Sequence, residues 1–193
     1  VNNKNKIIAA SIIVIIIIIC VFSYDKYTTN KKKEISDKFN SITIDYSENT
    51  KDVTISSLIE IINGKDPTYS PLSLYFIVDN NLINDQTEIN SLFDKLIKNT
   101  SLDNEIKNLI IYKKALYNAD NAQESDLLNI LNPLINSKSV WKSHSLYLMA
   151  EYFYANNQKQ KAKEFYNQII SLEYSNPDLR IEAEKRLSRD LSE

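Results

Sequence analysis

The sequence predicts an all-α protein: an N-terminal transmembrane helix followed by an α-solenoid of about three to four helix pairs, with a C-terminal capping helix. Three observations carry that expectation. Residues 7–22 run without a charge, Gly or Pro. Beyond residue 24 apolar residues recur at helical spacing, with no convincing run of strict alternation. Four apolar positions then repeat across three segments with one internal spacing. The expected organisation is a membrane anchor over 1–24, a stalk helix or linker over 25–50 and a helical repeat domain over 51–193.

Composition narrows the alternatives. The 193 residues are 43% hydrophobic and 25% charged, enough for one packed domain plus an appendage. One Gly and four Pro are too few for the tight turns of a β-sandwich or the glycine loops of a Rossmann or P-loop site. A single Cys rules out an internal disulfide and a Cys-based zinc site, and a single His rules out a His-rich metal centre. A net charge of −2 without a basic block leaves no electrostatic footprint for nucleic acid. No metal, cofactor or small-molecule substrate is expected. Heavy use of Ile, Asn and Lys matches an A+T-rich coding sequence, so the sequon Asn99-Thr100-Ser101 reads as an accident of that bias.

The first element, Ile7 to Phe22, reads IIAASIIVIIIIICVF. As a helix it spans about 24 Å, the short end of what crosses a bilayer. Its nine isoleucines supply roughly −3 to −5 kcal/mol of insertion free energy. Ile7, Ile12, Ile16, Ile19 and Phe22 are assigned to the span. A cleaved signal peptide is the rival, with Lys4 and Lys6 ahead of the run and Val21-Phe22-Ser23 as a cleavage site. The run exceeds the usual length of about 7–15 residues and has no helix breaker before that site, which favours an uncleaved anchor. Cys20 follows Ile19 rather than a small residue, so it reads as a lipid-facing hydrophobe. Counted literally, Lys26, Lys31, Lys32 and Lys33 outweigh Lys4 and Lys6 and would keep the domain cytoplasmic. Long translocated domains obey that rule poorly, so charge alone leaves orientation open.

Residues 27–46 are polar with sparse apolar points at Ile35, Phe39 and Ile42, as in a stalk. Val53, Ile55, Leu58, Ile59 and Ile62 mark a helix that stops at Asn63-Gly64, where the one Gly of the chain is expected to take a left-handed cap. Ser70-Pro71 reads as an N-cap with Pro at the first helical position. Asp85, Ser101 and Ser125 are expected to open later helices in the same manner, and Asn176-Pro177 the last.

Superposing these segments exposes the period. Ile77, Ala115 and Ala150 are equivalent on first helices; Ile89, Leu127 and Ala162 on second helices. Phe93, Leu131 and Tyr166 follow, then Leu96, Leu134 and Ile169, with offsets of 38 and 35 residues at every point. A pair of this size cannot bury its apolar face alone, and stacking gives a continuous core. The closing helix carries Leu179, Ala183, Leu187 and Leu191 along one stripe, with Arg180, Glu182, Lys185, Arg186 and Asp190 expected on a solvated side.

The spacing of Leu146, Met149, Ala150, Phe153, Ala162 and Tyr166 resembles the tetratricopeptide repeat (TPR). Ile77, Ile89 and Leu127 replace the small residues of that pattern in the earlier units. The stretch from Trp141 through SLYLMAEYF, QKAKEFYNQI and NPDLRIEAEKRL resembles the ancillary SecYEG translocon subunits, a YfgM-like family of tetratricopeptide membrane proteins. Residues 1–100 match that family in layout more than in residues. The resemblance implies a single span in the inner membrane, a periplasmic repeat domain, and Sec translocon components or periplasmic chaperones as partners. It also decides the orientation. An envelope assembly scaffold without Sec association is the alternative.

No residues carry catalysis. His144 is the lone imidazole and has no partner suggested by spacing. No carboxylate has the apolar flanks that would raise its pKa. Protein binding is the expected role. His144, Tyr147, Glu151 and Tyr154 form a stripe beside the core-facing one and would line a concave surface, with Tyr112 in the place of Tyr147 one repeat earlier. Tyrosines give rigid contact area with a hydroxyl handle; the competing reading packs them against the neighbouring helix. Trp141 is expected to plug the junction between the second and third pairs.

Overall fold

A computed structural model describes the backbone of residues 2–191, together with the side chains of Ile8 and of residues 13–191. Ile7 and Ile12, assigned to the span, lie outside the side chains so described. Among the described residues every regular element is helical. Helix α1 covers Asn2–Ile44, and a 3₁₀ turn at Glu48–Thr50 leads into α2, Lys51–Asn63. Then follow α3 Tyr69–Asp79, α4 Gln86–Asn99, α5 Asn104–Asn118, α6 Glu124–Ile135, α7 Lys142–Ala155, α8 Lys159–Ser171 and α9 Pro177–Arg189.

The 43 residues of α1 make a rod about 64 Å long. The apolar run and the stalk are therefore one helix. Its far end is built into the domain. Lys38 Nζ lies 2.7 Å from Glu60 of α2, the Phe39 ring packs 5.7 Å from that of Tyr69, and just past the helix Tyr46 meets Phe76 edge-on at 5.7 Å. Ile13 to Phe22 leave their apolar side chains open, and by length and composition this helix is able to cross a membrane.

Each helix from α1 to α9 packs on the next, while α1 also reaches α3, α5 reaches α7 and α7 reaches α9. None of the twelve repeated positions is more than 1% exposed. The periodic residues are thus the core. They fall into two clusters, one centred on α2–α4 and one on α6–α8. Helix α5 joins them: Ile110 belongs to the first, Ile111 and Ala115 to the second. In space α3 leans more closely on α2 than on α4, so the sequence pairing of α3 with α4 is not the tightest contact. Val53 is 70% exposed and takes no part in the core.

Several helix ends differ from the expected ones. Gly64 keeps a right-handed φ of −69°, and Lys65 takes the left-handed turn at φ 57°; the reversal falls one residue later because Gly64 N–H still bonds the last carbonyls of α2. Helix α3 begins before Ser70-Pro71. Asp66 Oδ1 accepts from the N–H groups of Thr68 and Tyr69 at 2.9 and 2.7 Å, which leaves Ser70 Oγ free to donate to Ile61 O and tie α3 to α2. Asp103, not Ser101, caps α5, because its carboxylate reaches Glu105 N–H. Helix α6 starts at Glu124, ahead of Ser125. Asp85 and Asn176 cap α4 and α9 as expected.

The substitution Ala162→Leu is expected to overpack the α7–α8 crossing and cost about 1–3 kcal/mol in urea unfolding, whereas Val53→Ala shifts stability by less than about 0.5 kcal/mol. Equal effects would refute the assignment of the repeated positions to the core.

Candidate functional site

The candidate residues divide between two places on α7. The first is aromatic. Tyr112 on α5 stacks on Trp141 with ring centroids 5.5 Å apart and planes inclined by 24°. His144 stands against both rings, 5.8 Å from Tyr112 and 5.1 Å from Trp141. The loop before α7 is pinned: Ser139 Oγ donates to Glu105 of α5 at 2.8 Å and accepts from Trp141 N–H at 3.1 Å. Ser145 Oγ donates back to Trp141 O. Trp141 accordingly bridges the second and third pairs.

Beside it opens a cleft of about 290 Å³ lined by Val140, Trp141, His144, Tyr174, Ser175 and Asn176. Val140 and Tyr174, 67% and 88% exposed, form its rim. His144 Nδ1 is buried without a hydrogen-bond partner. Burial pushes the Tyr112 hydroxyl above its ordinary pKa. The cleft is small, and its lining combines Val140 and the Trp141 and Tyr174 rings with the polar groups of His144, Ser175 and Asn176. Among the described residues no cluster of His, Cys, Asp and Glu is placed to hold a metal ion.

The second place is roofed by α9. Glu151 accepts from the Tyr166 hydroxyl and, at 2.7 Å, from Arg186 of α9. Arg186 also lies over the Tyr154 ring, 5.2 Å from its centre, and bonds Asp190 at 3.0 Å. Tyr147 meets the Tyr166 ring edge-on at 5.8 Å. Tyr147, Glu151 and Tyr154 therefore line the contact with α9. Arg186 and Arg180 leave the solvated side expected for α9: Arg180 turns back to Ser175 Oγ and the Leu172 carbonyl.

Electrostatics follow from this packing. Burial, then the Glu151 carboxylate, raises the Tyr166 hydroxyl far above its ordinary value. Burial raises Tyr147 as well. Burial opposes the Arg186 charge, but Asp190 and Glu151 outweigh it. Hydrogen bonds from Arg189 and Arg186 hold the Asp190 carboxyl well below the usual range. On α3, burial and then the Asp79 charge push Tyr75 up to about 12.

Ile16, Ile19 and Phe22 are 54%, 59% and 72% exposed on α1, and Cys20 is exposed beside them. Sequence reasoning missed Val140 and Tyr174, two loop residues that lie 34 positions apart. It missed the inward turn of Arg186 for the same reason: each depends on where the next helix pair lands. Compared with known proteins, the chain matches no family model, no curated protein and no solved structure.

Replacing Arg186 by Ala leaves Glu151 without its cation in a half-buried site and is expected to cost about 1–3 kcal/mol. A double-mutant cycle with Glu151→Ala should return a coupling of about 0.5–2 kcal/mol; additivity would show that α9 is held by its apolar stripe alone. Alkaline stability gives an independent check. The folded hydroxyls of Tyr75 and Tyr166 titrate above the unfolded value of 10.0. Their contribution is complete below about pH 10 and is lost as pH rises above it. Urea midpoints at pH 8 and pH 11 should fall less in the Tyr75→Phe, Tyr166→Phe variant than in the parent.

Proposed function

We propose that this chain is a membrane-anchored, TPR-like protein-binding module, facing the periplasm from the inner membrane as an accessory of the Sec translocon or of envelope chaperones. One observation carries the reading: α1 leaves the described isoleucines of its first half, Ile8, Ile13 and those over 15–19, uncovered and is built into the helix stack in its second. A row of residues from Ile13 to Phe22, each 49–72% exposed, needs an apolar solvent, and a bilayer supplies one. Tyr24 and Tyr27, also exposed, stand where an interfacial aromatic belt would lie.

A TPR-like solenoid is supported by the buried period and by the contacts of α5 with α7 and of α7 with α9 across the intervening helices. The aromatic cleft at the start of α7 is the proposed capture point. Its rim offers Tyr174 and Val140, and Trp141 and His144 form its floor, a set suited to an apolar side chain on a partner peptide or helix. Tethering raises the local concentration of this cleft toward membrane partners. Orientation and translocon association rest on the resemblance of residues 141–187. Binding is proposed rather than catalysis, because His144 is surrounded by rings and hydrogen-bonded to no nucleophile or carboxylate.

Crosslinking of the full chain in native membranes is expected to recover translocon components. The Val140→Ser, Tyr174→Ser variant should recover them about tenfold less well, with unchanged helicity by circular dichroism. Recovery of envelope assembly proteins in their place would replace the translocon with a scaffold role. Protease should reach the repeat domain in spheroplasts but not in intact cells; digestion only after lysis would overturn the periplasmic orientation.

A further inference from the structure

We infer that the cleft between α1 and the α2–α3 turn is a binding site for the headgroup of an anionic phospholipid. The inference rests on the reading of α1 as a membrane span. The cleft, of about 220 Å³, is lined by Thr28, Lys31, Lys32 and Ile35 of α1 and by Gly64, Lys65, Asp66 and Pro67 of the turn. Two separate segments thus converge to place three lysines at one cavity. Asp66 opposes them and keeps its charge while its Oδ1 accepts from the N–H groups of Thr68 and Tyr69. Three lysines against this one lining carboxylate leave the cleft cationic.

Depth selects a lipid over a soluble anion. The Cα of Lys31 lies nine residues beyond Phe22, about 13 Å along the axis. Side chains on a helix lean toward its N-terminus, and lysines extend their charge toward the interface. The Lys31 and Lys32 ammonium groups therefore reach back toward the headgroup layer, which begins where the apolar run ends. Lys65, in its left-handed turn at φ 57°, approaches the same level from the domain side.

The helix face continues the argument below the cleft. Thr28, Tyr24, Val21, Ile17 and Val14 follow at alternating spacings of four and three, so they lie beneath Lys31 and Lys32 on one face. Tyr24, Val21, Ile17 and Val14 are 71%, 62%, 56% and 55% exposed. A ligand that is anionic at its head and hydrocarbon below matches that whole face; inorganic phosphate matches only its top. Lys26 and Lys33 point to other sides of α1 and do not line the cleft.

The test uses the full chain in bilayers of mixed phosphatidylcholine and phosphatidylglycerol, with retained lipid read by native mass spectrometry. The parent should retain phosphatidylglycerol in preference to phosphatidylcholine. Lys31→Gln, Lys32→Gln, Lys65→Gln together should lower that preference by roughly fivefold or more. The charge-matched set Lys33→Gln, Lys98→Gln, Lys138→Gln should leave it within about twofold. Equal losses in the two sets, or displacement of the lipid by inorganic phosphate, would overturn the site. Flotation with pure phosphatidylcholine vesicles separates the two readings: all three proteins should float. A parent that fails to float removes the span and the lipid site together, whereas floating proteins with no lipid preference remove the site alone.

Discussion

A helix pair of this size cannot bury its apolar face alone, and this constraint organises the whole molecule. On each second helix the repeated positions, as at Ile89, Phe93 and Leu96, form one stripe that stays covered only in a stack, so every pair needs the next. The burial of all twelve repeated positions is the outcome. Such a stack has two open ends. Helix α1 closes one with Phe39 and Ile42, joined by Tyr46 just past its end. Helix α9 closes the other with Ala183, joined by Leu191 just past its end.

The two closures differ in kind. At α1 the polar tie is Lys38 to Glu60, with side chains 40% and 71% exposed, worth little beside the aromatic contacts that flank it. At α9 the tie is Arg186 to Glu151, 22% and 30% exposed and surrounded by Tyr147, Tyr154 and Tyr166. Partial exclusion of water strengthens that pair and raises the cost of leaving either member alone. The tyrosine stripe of α7 is thereby divided: its C-terminal part holds the cap, and its N-terminal part, with Trp141 and Tyr112, remains open at a cleft.

Much of this was legible before any coordinates. The charge-free apolar run, the period, and the caps at Asp85 and Asn176 all report local spacing, which a linear reading detects directly. The failures share a cause. Ser70, Ser101 and Ser125 have the residue type of an N-cap, but Thr68, Asp103 and Gln123 stand at the actual helix starts, and at α3 the first N–H groups are taken by Asp66. At α3 and α5 an aspartate takes the N–H groups that a nearby serine could have taken. Ser70 illustrates it: buried against α2, its hydroxyl serves Ile61 O instead.

From the sequence alone came the helical class, the long apolar segment and the twelve core positions, since each depends on periodicity within about one helix pair. Only the structure decided that the apolar segment and the stalk form one rod, that Lys65 and Lys31 line one cleft, and that Arg186 turns inward to Glu151. Those contacts join residues some 30 positions apart, and no local pattern encodes which side chains will face each other once the pairs have stacked.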